Sequence, residues 1–161
     1  MLIRAAQMKE AAFLSDLALR SKAYWGYDEA FIAACREELT VREAEVERRR
    51  ATVAERDGRI LGFITLEGEP PEGILGMMFV DPDAIGQGIG RRLFEHIIAT
   101  ARKLGFVRVT IHADPNAEPF YRAMGAIRIG TTPSGSIPGR VIPLMAVTVT
   151  GSQAADHATV R

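Results

Sequence analysis

The chain has one cysteine, Cys35, in 161 residues. That excludes an internal disulfide framework and any zinc site built on cysteines alone. The histidines number three, His96, His112 and His157, and no His, Cys or acid spacing suits a metal, so none is expected. Neither sign of charge is in excess, since 20 Lys and Arg balance 20 Asp and Glu. The sequence therefore carries no basic footprint for nucleic acid or an anionic membrane. Long apolar runs are missing too: nothing reaches bilayer length, and the first residues, with Arg4 among short apolar groups, do not read as a signal peptide. A cytoplasmic location is the default expectation. Lysine is scarce as well (Lys9, Lys22 and Lys103), a skew toward arginine to which we attach no functional reading. Repeats are absent. A 47% apolar and 25% charged composition fits one globular domain over 1–150, followed by a patternless polar tail over 151–161.

What the sequence does have is a stretch from Gly73 to Lys103, GILGMMFVDPDAIGQGIGRRLFEHIIATARK. Ile74 to Val80 is a continuous apolar run of strand length, expected to be buried on both faces. Asp81-Pro82 stops it. Gly86, Gly88 and Gly90 then alternate with Gln87 and Ile89, and a helix follows at once. Its apolar positions Ile89, Leu93, Ile97, Ala101 and Leu104 keep helical spacing, Phe94 and Ile98 widen the stripe, and Gly105 supplies a left-handed cap. Glycines ahead of a helix let backbone approach a ligand closely. The free N–H groups and the helix dipole favour an anion there, such as a phosphate or pyrophosphate. A turn that merely starts a helix has the same spacing. A P-loop needs Gly-Lys-Ser/Thr where Gly90 is followed by Arg91-Arg92, and the dinucleotide fingerprint needs a glycine at position 91. Neither fits.

The rest of the chain reads in order. Leu2–Ala5 suits a strand, and Lys9–Ser21 a helix with Phe13, Leu14, Leu17 and Ala18 on one face. In KAYWGYDEAF, Tyr24, Trp25 and Tyr27 surround Gly26, either as inter-helix packing or as a pocket wall. Asp28 can cap a second helix with Phe31, Ile32, Cys35 and Leu39 inward, which makes Cys35 a core residue. Val41–Arg50 is charged enough for a solvated helix or turn. Arg56-Asp57-Gly58 between two apolar runs signals a hairpin, and Phe106–His112 a further strand, closing a parallel crossover. Pro119 in its first turn and Gly125 at its end frame a short helix in AEPFYRAMG. Strands are expected over Ala126–Gly130 and Arg140–Val149, joined by TTPSGSIPG.

VDPDAIGQGIGRRL resembles the acetyl-CoA loop of the GCN5-related N-acetyltransferases, Arg/Gln-x-x-Gly-x-Gly/Ala after a Val-x-Pro strand end, with Ile85 where that family usually has arginine or glutamine. Asn116, Tyr121 and Gly125 within NAEPFYRAMGA match the family's second motif, and the likeness covers roughly Val53 to Val149. The resemblance implies an α/β fold, a single domain with a mixed, mostly antiparallel sheet of about seven strands and flanking helices. It implies acetyl-CoA as co-substrate and acetyl transfer to an amine by direct attack in a ternary complex. Met78, Phe79 and Val80 would offer backbone hydrogen bonds to pantetheine and thioester. Gly86, Gln87, Gly88, Ile89, Gly90 and Arg91 would hold the pyrophosphate. Asn116 would reach the pantetheine arm, and Tyr121 would protonate the departing thiolate. Tyr24, Trp25 and Tyr27 would wall the acceptor. Where some members carry a glutamate or histidine on the central strand, this chain has Gly73, Ile74 and Gly76; His112, Glu67 or an ordered water is left as the base. His96 falls on the outward helix face. The acceptor is a small-molecule or peptide amine. A protein lysine or N-terminal acetyltransferase and a non-catalytic acyl-CoA sensor are the alternatives, and a homodimer is an assembly frequent in that family.

Overall fold

The computed structural model describes residues 1–149. In chain order these form β1 (Leu2–Ala5), α1 (Ala11–Ala23), α2 (Glu29–Cys35), α3 (Glu43–Val46), β2 (Thr52–Arg56), β3 (Arg59–Ile64), β4 (Glu72–Leu75) and β5 (Met78–Val80), then α4 (Ile89–Leu104), β6 (Arg108–His112), α5 (Glu118–Ala123), β7 (Ile127–Pro133) and β8 (Val141–Thr148). The expected tail over 151–161 lies outside the described residues. The strands make two four-stranded sheets, ordered β1-β2-β3-β5 and β4-β6-β8-β7. Among the described ladders only β4 with β6 is parallel. The architecture is therefore the mixed, mostly antiparallel α/β one expected, with eight strands where about seven were expected and with two sheets in place of one.

The extra strand comes from a correction. Ile74–Val80 is not one strand buried on both faces: it breaks at Gly76-Met77 and changes partner. Glu72–Leu75 pairs in parallel with Arg108–Ile111, whereas Met78–Val80 pairs antiparallel with Gly62–Ile64. Ile74 is 43% exposed. Side chains cause the break. The Thr65 N–H donates to the Met77 carbonyl at 2.9 Å, but the Met77 N–H donates to the Thr65 hydroxyl at 2.9 Å instead of to backbone. Beyond that point β5 has no strand on its second side, and the sheets part.

Helix α4 covers this break from one side. Ile89, Leu93, Phe94, Ile97 and Ala101 are buried against Ile64, Leu66, Ile111 and Met145, while Leu104, expected in the stripe, is half exposed. Gly105 caps the helix with φ +92°. On the other side α1 packs Leu14, Leu17 and Ala18 on Val53, Phe63 and Met77, with Cys35 and Leu39 in the same cluster. Phe13 points outward, 43% exposed, because the inward stripe of this helix is narrow. Asp28 caps α2 as expected, accepting the Phe31 N–H at 2.8 Å.

Val41–Arg50 holds only one helical turn, and its arginines are not all solvated. Arg49 pairs with Glu67 at 2.8 Å, and Arg50, at φ +49°, donates to the carbonyls of Leu66 and Gly68. Leu66 is buried at the sheet break, where its carbonyl needs a donor, and Arg50 supplies one. Asp57 (φ +53°) and Gly58 (φ +78°) turn the β2–β3 hairpin, and the strand expected over Ala126–Gly130 runs on to Pro133.

At Gly62, α4 lies close against the sheet. A Cβ there would lie 2.9 Å from the Phe79 carbonyl oxygen and 3.2 Å from both Ile89 and Leu93. Gly62→Ala should therefore overpack the junction and cost about 1–3 kcal/mol, read as a lower urea midpoint with unchanged m. An unaltered midpoint would mean that α4 can yield at this point.

Candidate active site

A cavity of about 670 Å³ opens where β5 and β6 diverge. The strand register decides which groups face it. Met77 and Asp81 bond through backbone to Thr65 and Leu61 on β3, and Phe79 is opposite Phe63 between them. Alternation then turns the backbone groups of Met78 and Val80 toward the open side and those of Phe79 toward β3. Of the three residues expected to offer backbone bonds, two face the gap.

The next wall is the glycine loop. Gly86 and Gly88 have φ of +87° and +79°, a region that favours glycine, and a Cβ on either would meet nothing within 4 Å. Their requirement is conformational. Gly90 differs: a Cβ there would come 3.3 Å from Phe120, so its small size lets α5 pack against the start of α4. Arg92 is the first residue of α4 whose N–H finds an intrahelical acceptor, the Gly88 carbonyl at 3.1 Å. The N–H groups before it face the cavity mouth at the positive end of a 16-residue helix. Ile89 itself is buried as a core residue, leaving only its backbone to the loop. Arg91 is exposed at the mouth, beside Glu95 at 3.7 Å. Gln87 turns its side chain to the far side, where Arg56 donates to it at 2.7 Å. Ile85 stays 45% exposed on the rim.

The loop is anchored from behind by Asp81. Its carboxylate is almost fully buried, caps the turn Pro82–Ala84 through the Asp83 N–H at 2.9 Å, and accepts from Arg20 at 3.2 Å and Arg59 at 3.3 Å. Burial alone would raise its pKa; the Asp83 N–H and the two guanidinium groups outweigh that and hold it below the usual carboxylate range.

Opposite the loop, α5 brings Tyr121 to the cavity with the residue only 5% exposed. No hydrogen bond to its hydroxyl is found among the described residues. Burial, and then the nearby Asp114 charge, push its pKa well above that of a free phenol, so it stays protonated at neutral pH. Its ring is wedged against Phe94 and Phe120, with centroids 6.2 and 5.4 Å away.

Behind Tyr121 lies a polar cluster that sequence reasoning missed. Asp114 accepts from Lys22 at 2.6 Å, from the Tyr27 hydroxyl at 3.0 Å and from the Asn116 N–H at 2.8 Å. The Asn116 Nδ2 donates to both Asp114 and Tyr27 at 3.0 Å, and Arg140 donates to the Tyr27 hydroxyl at 3.0 Å. The only sequence signal was a strand-breaking Asp-Pro-Asn. Its partners stand 87 or more residues away. Tyr27 is therefore a hub, stacked on Phe31 at 4.0 Å, and not a lining residue of the cavity. Tyr24 and Trp25 do line it, half exposed at the rim. His112 also lines it, exposed at the end of β6. His96 is exposed on α4. No group of three His, Cys, Asp or Glu that could hold a metal exists among the described residues, and no helix there is long and apolar enough to cross a membrane.

A gap between parting strands, flanked by a glycine loop on a helix N-terminus, defines the class of an acyl-CoA N-acyltransferase fold. Solved structures agree. The PaiA N-acetyltransferase from Thermoplasma acidophilum in complex with coenzyme A aligns with a TM-score of 0.76 over 91% of this chain and 98% of that one, at 20% identity. A GCN5-related N-acetyltransferase from Rhodopseudomonas palustris gives 0.73 over 91% and 94%, at 23% identity. The acetyltransferase (GNAT) domain model matches residues 7–134, and the chain belongs to that family. Among curated relatives, a 5-NmdU N-acetyltransferase of Pseudomonas phage PaMx11 is 33% identical over 85 residues, 52% of this chain and 61% of that protein. The peptidyl-lysine N-acetyltransferase YjaB of Salmonella typhimurium is 37% identical over 65 residues, 40% of this chain and 41% of that protein. The matches thus span under two thirds of either relative.

The Asp114 cluster makes stability depend on pH. Burial would raise this carboxyl, but the hydrogen bond and charge of Lys22, with the Asn116 N–H and Tyr27 hydroxyl, hold it below its ordinary value. A depressed carboxyl pKa stabilises the fold above the unfolded value of about 3.9, and the contribution is lost as pH falls through the folded value. Asp114→Asn should cost about 2 kcal/mol at pH 7, with the gap from wild type closing below about pH 4. Urea titrations at pH 7 and pH 3 measure both; an equal gap at the two would show that the charge is not what stabilises.

Proposed function

We propose that the protein is an N-acetyltransferase that moves an acetyl group from acetyl-CoA to an amine by direct attack in a ternary complex. The observation that carries this is Tyr121, a residue only 5% exposed whose hydroxyl is protonated and without a partner among the described residues, in a cavity shared with the glycine loop and the open edge of β5. The loop N–H groups and Arg91 suit the pyrophosphate. The backbone groups of Met78 and Val80 suit the pantetheine and the thioester oxygen, where an aimed N–H stabilises developing negative charge. With its Nδ2 engaged, Asn116 keeps Oδ1 free to accept an N–H from the pantetheine arm.

The chemistry then divides simply. The amine nitrogen forms a bond to the acetyl carbon, the carbon–sulfur bond breaks, the thiolate takes a proton from Tyr121, and the nitrogen gives up one proton that restores Tyr121 through water. No covalent enzyme intermediate is needed, and Cys35 on α2 is a buried residue of the core cluster, 2% exposed. The acceptor is an amine; the aromatic rim at Tyr24 and Trp25 leaves room for either a small molecule or a peptide.

Acetyl-CoA should raise the melting temperature of wild type by mass action. Gly88→Asp should abolish the shift, since it adds a side chain and a negative charge at a residue with φ +79°. A shift that survives would place the co-substrate elsewhere. Tyr121→Phe should lower turnover on the order of 10²-fold, with acetyl-CoA affinity nearly unchanged. Intact turnover would reassign the proton donor. Loss of affinity together with turnover would make the hydroxyl a binding group.

A further inference from the structure

The base is the part of the reaction that the family motifs leave open in this chain, and a carboxylate from a neighbouring turn stands in the cavity ready for it. Glu67 follows β3 and faces Ile74 across an isolated bridge. Its Oε2 is fixed by three donors: Arg49 Nε at 2.9 Å, Arg49 Nη2 at 2.8 Å and the Thr65 hydroxyl at 2.9 Å. The direction of the last bond is determined. Thr65 Oγ1 already accepts the Met77 N–H, so its one proton goes to Glu67. Thr65 is fully buried, which fixes the geometry further. Oε1 accepts no hydrogen bond from the described residues, although Glu67 lines the cavity with its side chain 29% exposed.

Gly76 explains how the carboxylate reaches that place. A Cβ at Gly76 would fall on Glu67 Oε2 and come 3.0 Å from Thr65 Oγ1. The central strand gives up a side chain at this position, and Glu67 from the adjacent turn occupies the space. The glycine that leaves the strand without a side chain here is the one that admits the Glu67 carboxylate from beside it.

We propose, on the acetyltransferase reading above, that Glu67 is the general base, its free Oε1 taking a proton from the acceptor ammonium directly or through one water. The ammonium gives one proton to Glu67, the nitrogen bonds to the acetyl carbon, and the carbon–sulfur bond breaks. Tyr121 protonates the sulfur and recovers its proton, through water, from the nitrogen that has become an amide. Glu67 returns its proton to solvent, so one thiol, one amide and one proton are released. The groups that face Glu67 are Arg49, with Glu45 behind it at 3.7 Å, and the Thr65 hydroxyl, while Glu38 and His112 line the same cavity.

The test uses the full chain with acetyl-CoA and three amine probes: an aminoglycoside, a lysine-containing peptide and a peptide with N-terminal alanine. CoA release is followed from pH 7 to pH 9.5. Glu67→Gln should lower kcat by about 10²-fold or more at pH 7, leave acetyl-CoA affinity and the melting temperature near wild type, and recover toward wild type as rising pH deprotonates the amine without help. Gly76→Ala should reproduce the loss with Glu67 still present, by displacing its carboxylate; it stands as the test if Glu67→Gln does not fold. Wild-type turnover with Glu67→Gln within twofold of it overturns the assignment of Glu67 and leaves acetyl transfer standing. A loss equal at every pH and accompanied by a lower melting temperature makes Glu67 structural and overturns it too. Wild type that transfers to none of the probes overturns the acetyltransferase reading, and this inference with it.

Discussion

The structure depends on a strand that cannot keep both of its partners. From Glu72 to Leu75 it belongs to the parallel pair with β6, and from Met78 to Val80 to the antiparallel pair with β3. Right-handed twist accumulates across both sheets, and a strand following each in turn must leave one before it fully joins the other. The gap is the result, and its edge carries unpaired backbone groups that a folded protein does not tolerate without a partner. Here the groups of Met78 and Val80 look onto a cavity, so the partner can be a ligand. Helix α4 keeps the gap open. Its stripe from Ile89 to Ala101 spans both halves of the divided strand, and its N-terminus is thereby held at the mouth.

Charge around the cavity is arranged in separate, satisfied sets. Lys22 is spent on Asp114 and Arg49 on Glu67, while Arg20 and Arg59 converge on Asp81. A buried ion pair often contributes little net stability, because desolvation cancels most of the attraction. Its use here is geometric. Asp114 fixes the start of the segment that carries Tyr121, Asp81 fixes the glycine loop, and Arg49 fixes Glu67. The groups left without charged partners are then those facing the gap: the helix N–H groups, the Tyr121 phenol and one oxygen of Glu67.

Much of this was legible in the sequence because it is local. Gly105 declares a left-handed cap, the α4 stripe declares its own inward face, and Asp28 declares a cap, each within a few residues. The two motifs that resemble the acetyltransferase family are local as well. The break at Gly76-Met77 was not legible. Ile74–Val80 has the composition of a buried strand, and what divides it is the hydroxyl of Thr65, 12 residues away. The Asp114 cluster was hidden for the same reason, since Lys22, Tyr27 and Arg140 meet it only once the sheets have formed. Tyr27 shows the difference well: an aromatic between helices reads as a wall, and only the fold makes its hydroxyl a junction of three partners. Leu104 and Phe13 show the converse, apolar residues at helical spacing that the packing left outside because nothing lies opposite them.

Where this chain departs from the family pattern, the fold answers from a neighbouring element. At Ile85 the loop lacks the usual polar side chain, and the loop is held instead by Asp81 beneath it and by Arg56 reaching Gln87 from the β2–β3 hairpin. At Gly76 the strand lacks a basic side chain, and the adjacent turn fills the space with Glu67. In both cases the chemical group stays close to the gap while its position in the chain moves. Such exchanges are open to a site built on backbone, since the N–H groups of a helix start and a strand edge are supplied by geometry and not by residue type. Side chains then need only reach the gap from some nearby element, and two sheets parting at one point offer several. A motif search that asks for a residue at a fixed offset will miss exchanges of this kind; a search for the atom that occupies the glycine's missing Cβ position will find them.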